Sequence, residues 1–506
     1  MKRYISKIKY LVALACVSFV GCSDLDEEQF GSLSPDNYYK TEEEALSSVV
    51  GVYQRMAAFP NYLTVWRLSE NGTDEFIIAA RTNGGWFDGG VHHEFTVHNV
   101  LPQNTQNNGA WGTVFGVIGA ANAVMESLEE SPRAADLTPL IAETRALRAY
   151  AYFYAMDFWG NVPIFTEARI NPNNLPTTNT RQEVFNFVEA EMKLAIADLP
   201  SIKDVNRASY YPRFTKEAIQ AALASVYLNA EVFTGTPRWQ DAIEMTNLVI
   251  NSGEYILEPQ FITSFAGNNH TSRELVSSFS VDAALNAGGN SYVRGALHPL
   301  HQLSYNLPFA PAGGFSTFEV ALERYEQNDV RRNYIIHGPQ TYPDGSPLID
   351  PATKQQLVLI PFVDFRNATL DEGYRVLKYI PDGNFVGNNA SNDIVLMRYS
   401  DVLLTKAEAL FRSGNNGEAL TLVNQVRRRS NASELQSLTL QDLENERARE
   451  FIWEGHRRRD MIRFGSYFDS TWKFKTTTTP RWRGLYPIPA QQIVANPQLK
   501  QNPNYN

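Results

Sequence analysis

The sequence predicts a mostly α protein, a tetratricopeptide-like scaffold of helical hairpins that carries a large, loop-rich inserted subdomain with short β-strands. Three observations carry that reading. Apolar residues recur at helical spacing in blocks separated by Pro and Gly. The stretches between the blocks have another texture, rich in Gly, Asn and aromatic residues. Two of the helical blocks also resemble each other. Residues 223–250 place Tyr227 and Ala230 on one helix, then Gly235, Trp239 and Ala242 on the next; residues 403–426 place Leu404, Ala407 and Leu410, then Gly414, Ala419 and Val426, in the same way. Small residues at such positions let antiparallel helices approach closely, the logic of a repeat of about 34 residues per helix pair.

The elements follow in chain order. Thr41 with Glu44 three residues on is a capping box that opens a helix over 42–58. A helix pair is expected at 111–130 and 138–159, broken by Pro132 and Pro139. Further helices are expected at 181–199, 215–233 and 239–252, then at 396–413, 416–430 and 440–464. The helical scaffold therefore covers about 41–58, 111–252 and 396–465. Residues 60–110 and 255–395 form the loop-rich face, with short β-like runs such as LVLIPFV at 357–363 between turn dipeptides, and 466–506 is an irregular closing segment. A structureless loop of that length is improbable in a compact domain, so the insertion is expected to pack on the helices. The whole of 41–506 reads as one body.

RALRAYAYFYAMDFWGNVPIF, at 145–165, is the densest aromatic stretch. Its spacing decides its role. Leu147, Tyr150, Tyr154 and Phe158 fall on one helical stripe, Ala146, Ala149, Phe153 and Met156 on a second, and the third is also largely apolar. A helix apolar on nearly all sides is buried between neighbours. Gly160 and Asn161 suit a left-handed helix end, and Pro163 stops continuation.

The N-terminus gives an address. Lys2, Arg3, Lys7 and Lys9 precede an apolar run at 10–20, too short to span a bilayer comfortably, and then Gly21 and Cys22. The pattern resembles a bacterial lipoprotein signal peptide over 1–21, cleaved before Cys22, which is then lipidated. Phe19 stands where such signals usually have Leu, and an ordinary signal peptide with an incidental cysteine is the alternative. The acidic run after Cys22 opens a tether over 22–40. Loss of the leader also removes Cys16, so the body has neither a disulfide framework nor a thiolate nucleophile. Removing the four cations of the leader takes the formal charge from −10 to about −14. So acidic a surface argues against a nucleic-acid partner, because phosphate contacts need clustered positive charge.

Catalytic signals are weak. His92, His93 and His98 lie near Glu94 and Asp88, and on a strand His92 and Glu94 would share a face, but no zinc-binding spacing supports a metal centre. HPLH at 298–301 has Pro299 between its histidines, which argues against a helical pair. In EGHRRRDMIRFG, Glu450 and Glu454 with Arg457 and Arg458 read as ion pairs along one helix. No nucleophile elbow, P-loop or dinucleotide fingerprint stands out, so no catalytic residue is assigned. A structural calcium ion in the Asp/Asn/Gly loops is compatible with the composition but has no locatable position, and no other cofactor or metal is implied.

Four segments carry a family resemblance. ETRALRAYAYFYAMDFWGNVPIF at 143–165, RYSDVLLTKAEALFRSGNNGEALTLVNQVRRRS at 398–430, ERAREFIWEGHRRRDMIRFG at 446–465 and LYPIPAQQIVANPQLKQNPNYN at 485–506 resemble, in order, signatures of the SusD/RagB family of outer-membrane glycan-binding lipoproteins. The resemblance implies four tetratricopeptide-like units covered by an irregular face. It implies non-catalytic capture of an oligosaccharide at the cell surface. The implied partner is a SusC-like TonB-dependent outer-membrane transporter, and the membrane would be met only through the lipid on Cys22.

A sugar site needs an aromatic face for the C–H surface and polar groups for the hydroxyls. TNGGWFDGG at 82–90 offers Trp86 and Phe87 on a glycine-rich loop, flanked by Arg81, Asn83 and Asp88. In SusD-like proteins this early loop often contributes to the sugar platform; the alternative is a Trp packed under its own loop. A mid-chain region supplies the family's second aromatic contribution, and here NSYVRGALH offers Tyr292 and Arg294, with Tyr305 following. Trp66 is a further candidate, with a core position as its alternative. Two other functions stay open: a glycoside hydrolase on a helical scaffold, and a tetratricopeptide-type scaffold that holds a protein or peptide.

Overall fold

The computed structural model describes residues 39–60, 64–281 and 289–505. The leader, Cys22 and most of the acidic tether therefore lie outside the described residues.

Capping chemistry fixes where the helices start. Thr41 accepts from the Glu44 amide while the Glu44 carboxylate accepts from the Thr41 amide, and α1 runs Glu42–Met56. Short helices α2 (Val65–Glu70) and α3 (Val91–Thr96) follow in the first loop-rich stretch. Helix α4 (Thr105–Glu129) begins six residues before the expected 111, because the Asn104 side chain accepts from the Gln106 and Asn107 amides and caps it there. Helices α5 (Thr138–Phe158), α6 (Arg181–Asp198), α7 (Lys216–Leu228) and α8 (Trp239–Ser252) complete the N-terminal scaffold. After the insertion, which holds the short helices α9 (Tyr292–Ala296) and α10 (His301–Ser304), come α11 (Tyr399–Arg412), α12 (Asn416–Arg429), α13 (Leu440–Glu450) and α14 (Arg457–Phe464).

Packing runs as a chain of neighbours: α1 on α4, α4 on α5, α5 on α6, α6 on α7, α7 on α8, α8 on α11 and α11 on α12. The insertion between α8 and α11 thus interrupts the sequence of the stack without interrupting the stack. Helix α5 is buried between α4 and α6. Ala146 to Phe158 are buried without exception, and Trp159 donates its indole N–H to Asn107 Oδ1 at 2.9 Å. Gly160 takes φ 69 just past the helix end. No helix among the described residues is long and apolar enough to cross a membrane.

The β-structure is sparse. Strand β1 (Ile77–Ile78) pairs antiparallel with β3 (Phe315–Ser316), and β2 (Leu275–Phe279) with β4 (Ile394–Arg398). The start of the expected 396–413 helix is therefore strand, paired to the insertion. Of the β-like run at 357–363 only Val358–Leu359 enters a ladder, against Gly338–Pro339.

The expected long helix over 440–464 is broken. It stops at Glu450 and resumes at Arg457, with Trp453 at φ 61 and Gly455 at φ 81 between. Trp453 holds this turn by donating its indole N–H to Glu75 O at 2.9 Å, and Glu70 accepts from the Gly455 amide at 2.5 Å. Glu450 and Glu454 consequently do not pair with Arg457 and Arg458 along one helix. Glu450 accepts from Arg398 at 2.8 Å, from Arg331 at 2.8 Å and from Arg429; Arg398 also reaches Glu274 and Glu454, and Arg457 reaches Asp74 at 2.7 Å. These buried pairs tie the scaffold to the insertion, and their mutual neutralisation is what makes burying so many charges tolerable.

Candidate functional site

The glycine-rich loop at 82–90 links β1 to α3 and folds on left-handed residues. Gly84, Trp86, Asp88, Gly89 and Gly90 have φ 84, 62, 45, 68 and 82. Side chains adopt that region at a cost, so Trp86 and Asp88 need compensating bonds. Backbone turns supply some of them: the Gly84 amide donates to Arg81 O, the Arg81 amide to Gly85 O, and the Gly90 amide to Phe87 O, at 2.7–2.8 Å. The Asn83 side chain accepts from the Gly85 amide at 3.0 Å.

Trp86 is half-buried and seated. Its indole N–H donates to Ala312 O at 3.1 Å, and its ring meets Phe315 edge-on at 5.6 Å. Gly314 makes the seat possible, because a Cβ there would overlap the indole ring. Phe87 points outward and is 52% exposed. Asp88 is exposed too, and one of its carboxylate oxygens faces His92 Nε2 at 2.8 Å. A carboxylate oxygen only accepts, so Nε2 carries the proton. Burial pushes the His92 pKa down to about 4, with the Arg67 charge adding to the effect, so the imidazole is neutral at pH 7.

Several sequence-level assignments are corrected here. Arg81 does not reach outward. It is 3% exposed and its guanidinium donates to Thr369 O, Glu372 O, Gly313 O and Ser316 Oγ at 2.6–3.0 Å. It clamps two segments, 313–316 and 369–372, beneath the loop instead of offering a hydrogen bond to a ligand. Trp66, 4% exposed, donates its N–H to Trp453 O at 3.1 Å and lies in the core. Tyr292, 6% exposed, stands 4.7 Å from Trp66 and 5.3 Å from Tyr379. The space left among these rings holds about one water, some 20 Å³, and admits no sugar. Residues 91–96 are helix, not strand, so His92 faces Asp88 one turn back and forms no metal pair with Glu94. Among the described residues no group of three or more His, Cys, Asp or Glu side chains is arranged to hold a metal ion.

Other assignments stay on the surface. Asn83, Phe87, Asp88, Arg294 and Tyr305 are exposed. Tyr292 and Arg294 occupy α9 two residues apart, which on a helix sends one inward and the other out. Arg294 comes to the seat of Trp86 through the backbone: its carbonyl accepts from the Ala312 amide at 2.7 Å, and the Ala312 carbonyl holds the indole. That bond closes an excursion over 294–312, and Tyr305 stands on it, edge-on to His301 with ring centroids 5.7 Å apart. The sequence reading missed Ala312, Gly314 and Phe315, and weighed His92 only as a metal ligand. PFAPAGGF at 308–315 signals a turn, but nothing in it announces a socket for a ring from residue 86.

Comparison with known proteins places this geometry in a family. A model described as the SusD family matches residues 363–505, and one described as starch-binding associating with outer membrane matches residues 35–228. The chain belongs to the SusD/RagB family. It is 28% identical over 414 residues to the starch-binding protein SusD of Bacteroides thetaiotaomicron, with 72% of each chain covered. It is 25% identical over 511 residues to a SusD-like protein of Bacteroides ovatus, covering 95% of this chain and 86% of that one. The fold is similar to that of surface glycan-binding protein A from Bacteroides thetaiotaomicron, with a TM-score of 0.76, 23% identity, and 92% and 100% of the two chains covered. A surface glycan-binding protein A from the same organism in complex with laminarihexaose matches with a TM-score of 0.73 at 22% identity, over 91% and 99%. The stacked helices α1, α4 to α8, α11 and α12 form the scaffold, and the loop at 82–90 and the excursion at 294–312 lie outside that stack.

Proposed function

We propose that this protein binds an oligosaccharide or polysaccharide without cleaving it and delivers it to a SusC-like TonB-dependent outer-membrane transporter. The observation that carries the reading is the seat of Trp86. A half-exposed indole is locked by Ala312 and Gly314, on the same loop as an exposed Phe87 and the exposed polar side chains of Asn83 and Asp88, while exposed Arg294 bonds Ala312 through its backbone. An aromatic ring held rigidly, with hydroxyl-binding groups around it, suits the flat C–H face of a sugar. Because the indole N–H is committed to Ala312, Trp86 serves by stacking, and hydrogen bonding falls to its neighbours. Tyr305, exposed on the excursion at 294–312, is proposed as a second aromatic contribution. Membership of the family, with relatives named for starch and for laminarihexaose, supports the ligand class.

The address belongs to the same proposal. Residues 1–21 are a signal peptide, Cys22 carries the lipid, and 22–40 tether the body to the outer leaflet of the outer membrane, exposed on the cell surface. Retention on affinity gels containing soluble starch, laminarin or another neutral polysaccharide, with no new reducing ends after prolonged incubation, is the expected result. Release of reducing ends would turn the reading to a helical glycosidase. Failure to be retained by any polysaccharide, together with a stable protein partner in pulldown, would turn it to a peptide-binding scaffold.

A further inference from the structure

The histidine beneath the loop is used by none of the contacts proposed so far. His92 is wholly buried on α3, while Asp88, four residues back, has a side chain 53% exposed. One carboxylate oxygen of Asp88 is 2.8 Å from His92 Nε2. The His92 carbonyl accepts from the Asn71 side chain at 3.4 Å, which ties α3 to the end of α2. Asp88 is also one of the two residues with side chains that hold φ above zero in this loop. Between Phe87 and Gly89 the backbone therefore depends on a bond from the interior to an exposed carboxylate.

We propose that His92 is a positioning residue for the carbohydrate site: its imidazole latches Asp88, so that the exposed carboxylate is fixed to accept a sugar hydroxyl beside Phe87 and Trp86. This rests on the glycan-binding reading above. A free aspartate on a glycine-rich loop would sample many rotamers and lose entropy on binding; one held from below is pre-organised. Gln places a donor nitrogen close to the position of Nε2, whereas Leu fills the space without a donor.

The test has two arms on the full chain. Without ligand, hydrogen exchange of the amides at Gly84–Gly90 should speed up about tenfold in His92→Leu and stay near the wild-type rate in His92→Gln. With maltoheptaose and laminarihexaose as probes in calorimetry, His92→Leu and Asp88→Ala should each weaken binding about tenfold. The double variant should be no weaker than Asp88→Ala alone, because His92 acts through Asp88. His92→Gln should restore affinity. Unchanged exchange in His92→Leu, or losses that multiply in the double variant, would overturn the latch. If exchange responds but the wild-type protein binds neither sugar nor any polysaccharide gel, the glycan reading fails and the binding role of His92 fails with it.

Discussion

Two aromatic stretches of this protein look alike in composition and do opposite things. Helix α5 and its end hold Tyr150, Tyr152, Phe153, Tyr154, Phe158 and Trp159, all buried. The loop at 82–90 holds Trp86 and Phe87, half-exposed and exposed. What separates them is the backbone. On α5 the rings repeat at helical spacing, so every direction meets a neighbouring helix, α4 on one side and α6 on another. On the loop, glycines and left-handed residues turn the chain back on itself, and the rings stand at an edge of the packing. The lesson is that aromatic density marks the scaffold here, and sparse aromatics beside Gly-Gly pairs mark the display face.

The largest effect is expected on the scaffold side. Trp159→Ala removes a fully buried ring and strands Asn107, and is expected to cost about 3–5 kcal/mol of folding stability, read by urea denaturation. A loss below 1 kcal/mol would contradict the account of α5 as a buried element of the stack. The display side should respond differently. Gly314→Ala adds one carbon where the Trp86 ring sits, and no positive φ at this position forbids alanine. It is expected to weaken polysaccharide retention about tenfold while moving the denaturation midpoint little, because the ring can swing into solvent at an edge where few contacts are lost. Retention at the wild-type level would show that the seat does not set the platform.

Much of the scaffold was legible because its signals are local. The capping box of Thr41 and Glu44, the stripes of α5, Gly160 after it and the paired hairpins all follow from spacing within one helix or between neighbours in sequence. The break at Trp453 was not legible, since a bulky residue in the left-handed region is held there by Glu70 and Glu75, some 380 residues away in the chain. The same limit applies at the site. The glycine-rich loop announces itself, so Trp86, Phe87, Asp88 and Asn83 were found where the chain displays side chains. Arg81 looks like a polar flank in sequence but spends its guanidinium on carbonyls at 313, 369 and 372. Trp66 and Tyr292 are drawn into the core by Phe315 and Trp453, contacts that no local pattern encodes. They still matter to the site, because Phe315 carries Trp86 on one side and leans on Trp66 on the other, at 5.6 and 5.8 Å.

On the proposed function, Trp86 is a binding surface and not part of the core. Affinity electrophoresis of Trp86→Ala, on whichever polysaccharide retains the wild-type protein, tests it most directly when paired with the denaturation midpoint. Retention should be abolished while the midpoint falls far less than in Trp159→Ala. Full retention, or a collapse of the midpoint comparable to that of Trp159→Ala, would contradict the account.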